Sequence, residues 1–157
     1  MSELLIDQKR YKNDLRYGSI TISKLINVSM RRGRKTAARK NIYGTLAILE
    51  KETKQDPVKY LEQALENIAP NLEVRSVRIG GANYQVPVPV SGMRKVTLAM
   101  RWLLNAAKAK KGKPIATKLA EEVMLAYKNE GQAIKKRIDV QKMAEANKAF
   151  AHFGRVQ

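Results

Sequence analysis

Along most of the chain, apolar residues recur at the three- and four-residue spacing of a helix buried on one side. Ile22, Leu25, Ile26 and Met30 form the first stripe, with Ser19 placed to N-cap it and Gly33 to stop it. Ala38, Ile42, Leu46 and Leu49 form a second, on a helix from about Thr36 to Glu52. Asp56-Pro57 pairs a capping side chain with a proline at the first helical position. It opens a third helix, with Val58, Leu61, Leu65 and Ile68 inward and Pro70 closing it. Ser91 caps a fourth, which buries Val96, Ala99, Met100, Leu103 and Ala107. Pro114 starts a fifth, with Ile115, Leu119, Val123 and Ala126 inward and Gly131 as its C-terminal cap. The last helix spans about Ala133 to His152, with Ile134, Ile138, Met143, Ala146, Phe150 and Phe153 as candidates for burial.

Between the third and fourth helices the period changes to that of a strand. Leu72 to Val90 consists of two β-rich runs around Gly80-Gly81, a pair that can take positive φ at both centres of a two-residue turn. That turn pairs Ile79 with Ala82, Val77 with Tyr84, Arg75 with Val86 and Glu73 with Val88. Pro87 and Pro89 then fall opposite Val74 and Leu72, at non-hydrogen-bonded sites where a missing N–H costs the ladder nothing. The prolines thus support the register independently of the glycines. A lone ribbon is marginal in water, so its root must pack on the helices. With no body expected beneath it, the tip should offer Val77, Ile79 and Tyr84 to a partner. The fold class predicted is mainly α: a single domain of about six helices with one protruding β-hairpin between the third and fourth. Residues 1–17 form a polar N-terminal arm, and residues 18–157 form the domain, with the hairpin at 72–90.

Charge changes the picture from fold to function. The formal net charge is +17, far more than solubility requires, and it is unevenly distributed. No acidic residue lies between Leu15 and Leu49, or between Val74 and Ala120; Glu50 to Glu73 holds most of the intervening acids. Such segregation gives the domain a basic face, suited to a polyanion. There are no cysteines, so disulfides and thiolate metal sites are excluded. No apolar run approaches the length of a membrane span, and the N-terminus lacks a signal-peptide pattern.

Candidate chemistry is sparse. His152 is the single histidine, at a helix end where a structural role is expected. Glu121 and Glu122 are sequence neighbours on different helix faces, a poor acid–base pair. Trp102 and Tyr43 sit at helical positions that favour core packing over base stacking. No enzyme, cofactor, metal or small-molecule substrate is indicated. The basic clusters say more. Arg31-Arg32-Gly33-Arg34-Lys35 sets guanidinium forks around a flexible turn, suited to closely spaced phosphates. Arg94, Arg101 and Lys108 repeat every seven residues and so share one side of the fourth helix, extended by Lys110, Lys111 and Lys113. The candidate nucleic-acid contacts are these, with Lys24, Arg75, Arg78, Gly80, Gly81, Tyr84 and Lys95. A DNA-architectural protein with a β-arm is the alternative reading. Such arms carry an intercalating proline at the tip, whereas here the tip is Gly80-Gly81.

Several stretches also resemble a known family. They are Tyr17-Gly18-Ser19, Met30 to Lys35, Leu65-Glu66-Asn67-Ile68, Arg78 to Pro87, Leu98 to Leu103 and Met143 to Phe153. In this order they are similar to small-subunit ribosomal protein seven of the bacterial and organellar type. The resemblance implies a structural protein that binds and organises the 3′ major (head) domain of small-subunit rRNA. It places the hairpin near the exit-site tRNA and the mRNA exit path, among other head and platform proteins. It implies a ribosomal location, in a bacterial cytoplasm or an organelle. It also adds Lys135, Lys136 and Arg137 to the expected RNA contacts.

Overall fold

The structure, a computed structural model, describes residues 12–155, with side chains to residue 152. Six α-helices and one two-stranded antiparallel sheet make up the fold, in the order α1 (Ile20–Ser29), α2 (Lys35–Thr53), α3 (Pro57–Ile68), β1 (Leu72–Ile79), β2 (Ala82–Pro89), α4 (Gly92–Ala109), α5 (Ile115–Tyr127) and α6 (Gln132–Ala146). A 3-10 segment, Lys148–Arg155, follows. Helix α4 touches α1, α3, α5 and α6, and α5 touches α2, α3, α4 and α6, so these two form the middle of the bundle. Leu25, Leu46, Leu65, Met100, Leu103 and Leu119 are among the fully buried side chains. Each large aliphatic of this kind contributes about 1.5–3 kcal/mol relative to exposure.

The expected stripes of α2 and α4 are all buried. Asp56 caps α3 by accepting from the Val58 N–H at 2.9 Å, with Pro57 in the first turn. Ser19 and Ser91 occupy N-cap positions in extended conformation, although neither side chain makes a capping bond. Most of the expected N-terminal arm lies outside the described residues. Its last part, residues 12–17, folds onto the domain: Asp14 accepts from the Tyr43 hydroxyl at 3.0 Å and from the Arg16 and Tyr17 N–H groups at 3.1 Å. Burial and the Asp14 hydrogen bond together raise the Tyr43 pKa.

The hairpin has the register expected, Ile79 with Ala82 through Leu72 with Pro89. Gly80 and Gly81 both adopt positive φ, 56° and 90°. At the root Glu73, Val86 and Pro87 are buried, and Val90 N–H closes the ladder onto Asn71 O at 3.0 Å.

Four expectations are corrected. Helix α1 ends at Ser29, not Gly33, because Met30 turns extended (φ −62°, ψ 138°). Gly131 is not the C-cap of α5: Asn129 takes the left-handed conformation there (φ 60°), and Gly131 (φ 94°) stands at the N-cap of α6. Helix α6 stops at Ala146 and tightens into the 3-10 segment instead of continuing to His152. Its buried positions are Ala133, Ile134, Val140 and Ala144, while Ile138, Met143 and Ala146 are exposed; Phe153 lies outside the described side chains. Finally, the ribbon is not bare beneath its tip. The 3-10 segment packs against β2, and the Tyr84 ring lies 5.3 Å from that of Phe150. Val77, Ile79 and Tyr84 are accordingly half-buried. An apolar ribbon face found cover within its own chain.

Candidate nucleic-acid interface

The turn between α1 and α2 is shaped by two consecutive left-handed residues, Arg32 (φ 50°) and Gly33 (φ 73°). Arg34 N–H bonds to Arg31 O at 3.0 Å, and Lys35 N–H to Gly33 O at 2.8 Å. A non-glycine residue held at positive φ costs on the order of 1 kcal/mol, so Arg32 is kept there against its own preference. The result is four cations, Arg31, Arg32, Arg34 and Lys35, all exposed and none paired with an acid among the described residues. Arg39 and Lys40 continue the positive charge into α2, and Arg39 Nε is buried without a hydrogen-bond partner. Both lie in the acid-free span, which could have marked them as contacts.

On α4, Arg94, Arg101 and Lys108 are exposed, as their seven-residue spacing predicts, along about 21 Å of helix. Arg94 is nevertheless not free. Its Nε donates to Glu73 Oε2 at 3.1 Å, and Arg75 Nε donates to the other carboxylate oxygen at 2.6 Å. Burial raises the Glu73 pKa, but the hydrogen bonds and charges of the two arginines outweigh it, and the net shift is downward. Glu73 therefore binds the ribbon root to α4 and fixes where Arg94 stands.

The other candidate cations divide by environment. Arg78, Arg101, Lys108, Lys111, Lys135 and Lys136 are exposed, with no acidic partner among the described residues. Lys24 is buried (4% exposed), and its Nζ reaches Met93 O at 3.4 Å, fastening α1 to the first turn of α4. Lys95 donates to Asn71 Oδ1 at 2.8 Å. Lys110 pairs with the buried Glu122 at 2.8 Å, and Lys113 with Glu121; Lys113 foremost holds the Glu121 pKa down. Arg137, half-buried, donates to Asn67 O at 2.5 Å. These contacts give Lys24 and Arg137 structural positions. Gly80 and Gly81 form the exposed turn, and Tyr84 is turned toward Phe150.

Two residues outside the expected set hold the rest in place. Asn67 Nδ2 donates to Ala126 O and Tyr127 O, both at 3.1 Å, so one side chain ties α3 to the end of α5 while its own carbonyl receives Arg137. Glu122 accepts from Ala133 N–H at 3.0 Å and thereby caps α6, the helix that presents Lys135 and Lys136. Neither has a signal in a single sequence, because each acts on an element distant in the chain.

No group of three or more acidic or histidine side chains among the described residues could hold a metal ion. His152 is exposed, and its Nδ1 lies 2.9 Å from Ala149 O. No described helix is long and apolar enough to cross a membrane.

Comparison with known proteins follows the same line. The family model described as ribosomal protein S7p/S5e matches residues 2–148. "Small ribosomal subunit protein uS7" of Thermotoga neapolitana is 50% identical over 147 residues, covering 94% of this chain and 95% of that one. The protein of the same name from Fervidobacterium nodosum is 53% identical over 137 residues, 87% of this chain and 88% of its own. That of Chloroflexus aurantiacus is 46% identical over 151 residues, 96% of each.

Proposed function

Because the chain belongs to the ribosomal protein S7p/S5e family, we propose that it is a non-enzymatic structural constituent of the small ribosomal subunit, binding rRNA through the turn ahead of α2 and the exposed seam of α4. The observation that carries this reading is the Arg31–Lys35 turn. Four exposed cations are displayed around two left-handed residues, with no acidic partner among the described residues. Unpaired guanidinium forks at a hydrogen-bonded turn suit phosphates brought close together in a folded nucleic acid. The family assignment selects rRNA over the DNA-architectural alternative, which nothing in the fold favours. The bacterial relatives point to a bacterial ribosome over an organellar one.

In finer detail, the protein organises the 3′ major domain in the subunit head, next to head and platform proteins. The exposed tip, with Arg78, Asn83 and the Gly80-Gly81 turn, lies near the exit-site tRNA and the mRNA exit path. Lys111, Lys135 and Lys136 supply further phosphate contacts.

The test of rRNA binding is titration of the protein with a head-domain rRNA fragment at several salt concentrations. Each phosphate contact releases counterions, so the affinity should fall by roughly 10³–10⁵ between 50 and 200 mM salt for six to ten contacts. A flat response would remove the electrostatic basis of the proposal. The tip is tested with Arg78→Ala, which leaves the Tyr84–Phe150 packing alone. Variant protein should enter subunits normally and alter exit-site tRNA retention; unchanged retention refutes the tip assignment.

A further inference from the structure

The root of the ribbon, α4 and α6 line an open groove of about 540 Å³ that mixes apolar, amide, cationic and acidic groups. Its walls are apolar, from Val74, Leu98 and Val140, with the half-buried Trp102 among them. Two amides, Gln85 and Asn147, stand in the lining, together with two cations, Arg94 and Lys136, and one acid, Glu73, whose carboxylate is already held by Arg75 and Arg94. The volume lies in the range of small-molecule pockets and could take a single nucleotide unit.

We propose that this groove receives one unstacked nucleotide of the bound RNA, its base against the Trp102 wall and its phosphate toward Arg94 and Lys136. The inference deepens the rRNA-binding reading and rests on it. Single-stranded RNA is recognised by stacking unpaired bases on aromatic rings and by hydrogen bonds to their edges, and the groove offers both beside two positive charges. Local hydrogen bonds set these groups up. Glu73 engages Arg94 through Nε, leaving the terminal guanidinium nitrogens for another acceptor. Asn147 commits its Nδ2 to Met143 O at 2.8 Å, which leaves the amide oxygen to accept from a base. An apolar peptide of a neighbouring protein would satisfy the walls but not the cations and amides, so charge complementarity favours the nucleotide.

Trp102 is the single tryptophan of the chain, so tryptophan emission reports on the residue that lines this groove. The full-length protein is titrated with the head-domain rRNA fragment, and with short single-stranded oligonucleotides alongside versions in which one nucleotide is abasic. Quenching of Trp102 and its protection from acrylamide by the fragment are expected. The base-bearing oligonucleotides should bind about 5- to 150-fold more tightly than the abasic ones, the usual effect of one stacked base. Gln85→Ala, an exposed substitution, should reduce that preference with the melting temperature unchanged. If the fragment binds with its steep salt dependence but Trp102 emission and accessibility stay as in the free protein, the groove proposal falls and rRNA binding stands. If no fragment binds, both readings fall. Equal affinity for abasic and intact oligonucleotides, or quenching only on adding another head protein, would also overturn the proposal, the latter by making the groove a protein-docking site.

Discussion

Removing the Glu122 carboxylate should weaken the anchoring of the first turn of α6, and its two oxygens allow the cost to be worked out separately. The side chain is fully buried; Oε1 accepts from Ala133 N–H at 3.0 Å and Oε2 faces Lys110 Nζ at 2.8 Å. The Lys110 side chain is 26% exposed, so solvent screens that pair and limits it to about 0.5–1 kcal/mol. Glu122→Gln keeps an oxygen for Ala133 but loses the pair and the charge assistance, about 1–2 kcal/mol in all. Glu122→Ala also strands a buried N–H, which adds about 1–3 kcal/mol. For a chain of this length 1 kcal/mol moves Tm by roughly 2–4 °C. At about 3 °C per kcal/mol, circular dichroism melts should therefore show a drop of about 3–6 °C for Gln and about 6–15 °C for Ala. Gly131→Ala provides an independent check: its added Cβ would stand 2.8 Å from Glu122 Oε1, at a φ of 94°. With the oxygen removed, part of that clash disappears, so Glu122→Ala with Gly131→Ala should be less than additive. An Ala variant no less stable than Gln, or strict additivity of the double variant, would show that Glu122 does not cap α6.

Two further outcomes follow from the interface. Arg31→Ala with Arg34→Ala removes two exposed cations; rRNA affinity should fall about 10- to 100-fold, and the log–log salt slope should drop by roughly 1.4–1.8. Tm should hold within about 1 °C, and a matching loss of Tm would reassign the pair to the fold. Glu73 has a folded-state pKa below its ordinary value of 4.5, so the unfolded chain binds its proton first as pH falls. Its contribution is complete above about pH 4.5 and is lost as pH drops through the folded value. Unfolding measured from pH 6 to 3 should lose stability through that window in the native protein and lose less in Glu73→Gln; parallel profiles would refute the carboxylate's role.

The chain's own pattern determined a great deal. The hairpin register was legible because Gly80-Gly81 and the two prolines constrain the same ladder in independent ways, one through φ and the other through missing donors. The buried stripes of α2 and α4 were legible because each helix has a single apolar side, and a 3.6-residue period then leaves one solution. The family resemblance, carried by short stretches from Tyr17 to Phe153, points to the ribosome from sequence alone.

Tertiary structure decided what depended on a partner element. Helix α6 has apolar residues on more than one side, and only its packing against the ribbon, α3, α4 and α5 selected Val140 and Ala144 over Ile138 and Met143. The cover over the ribbon tip came from Phe150, 66 residues beyond Tyr84 in the chain. The same holds for charge. Sequence showed where cations are abundant, but Glu73 reaches Arg94 from 21 residues away and Arg137 reaches Asn67 across 70. Periodicity is a local property of a chain and is present before the chain folds. Whether a cation is free for a phosphate depends on which carboxylate or carbonyl the fold brings within about 3 Å, and that distance exists only once the chain has closed on itself.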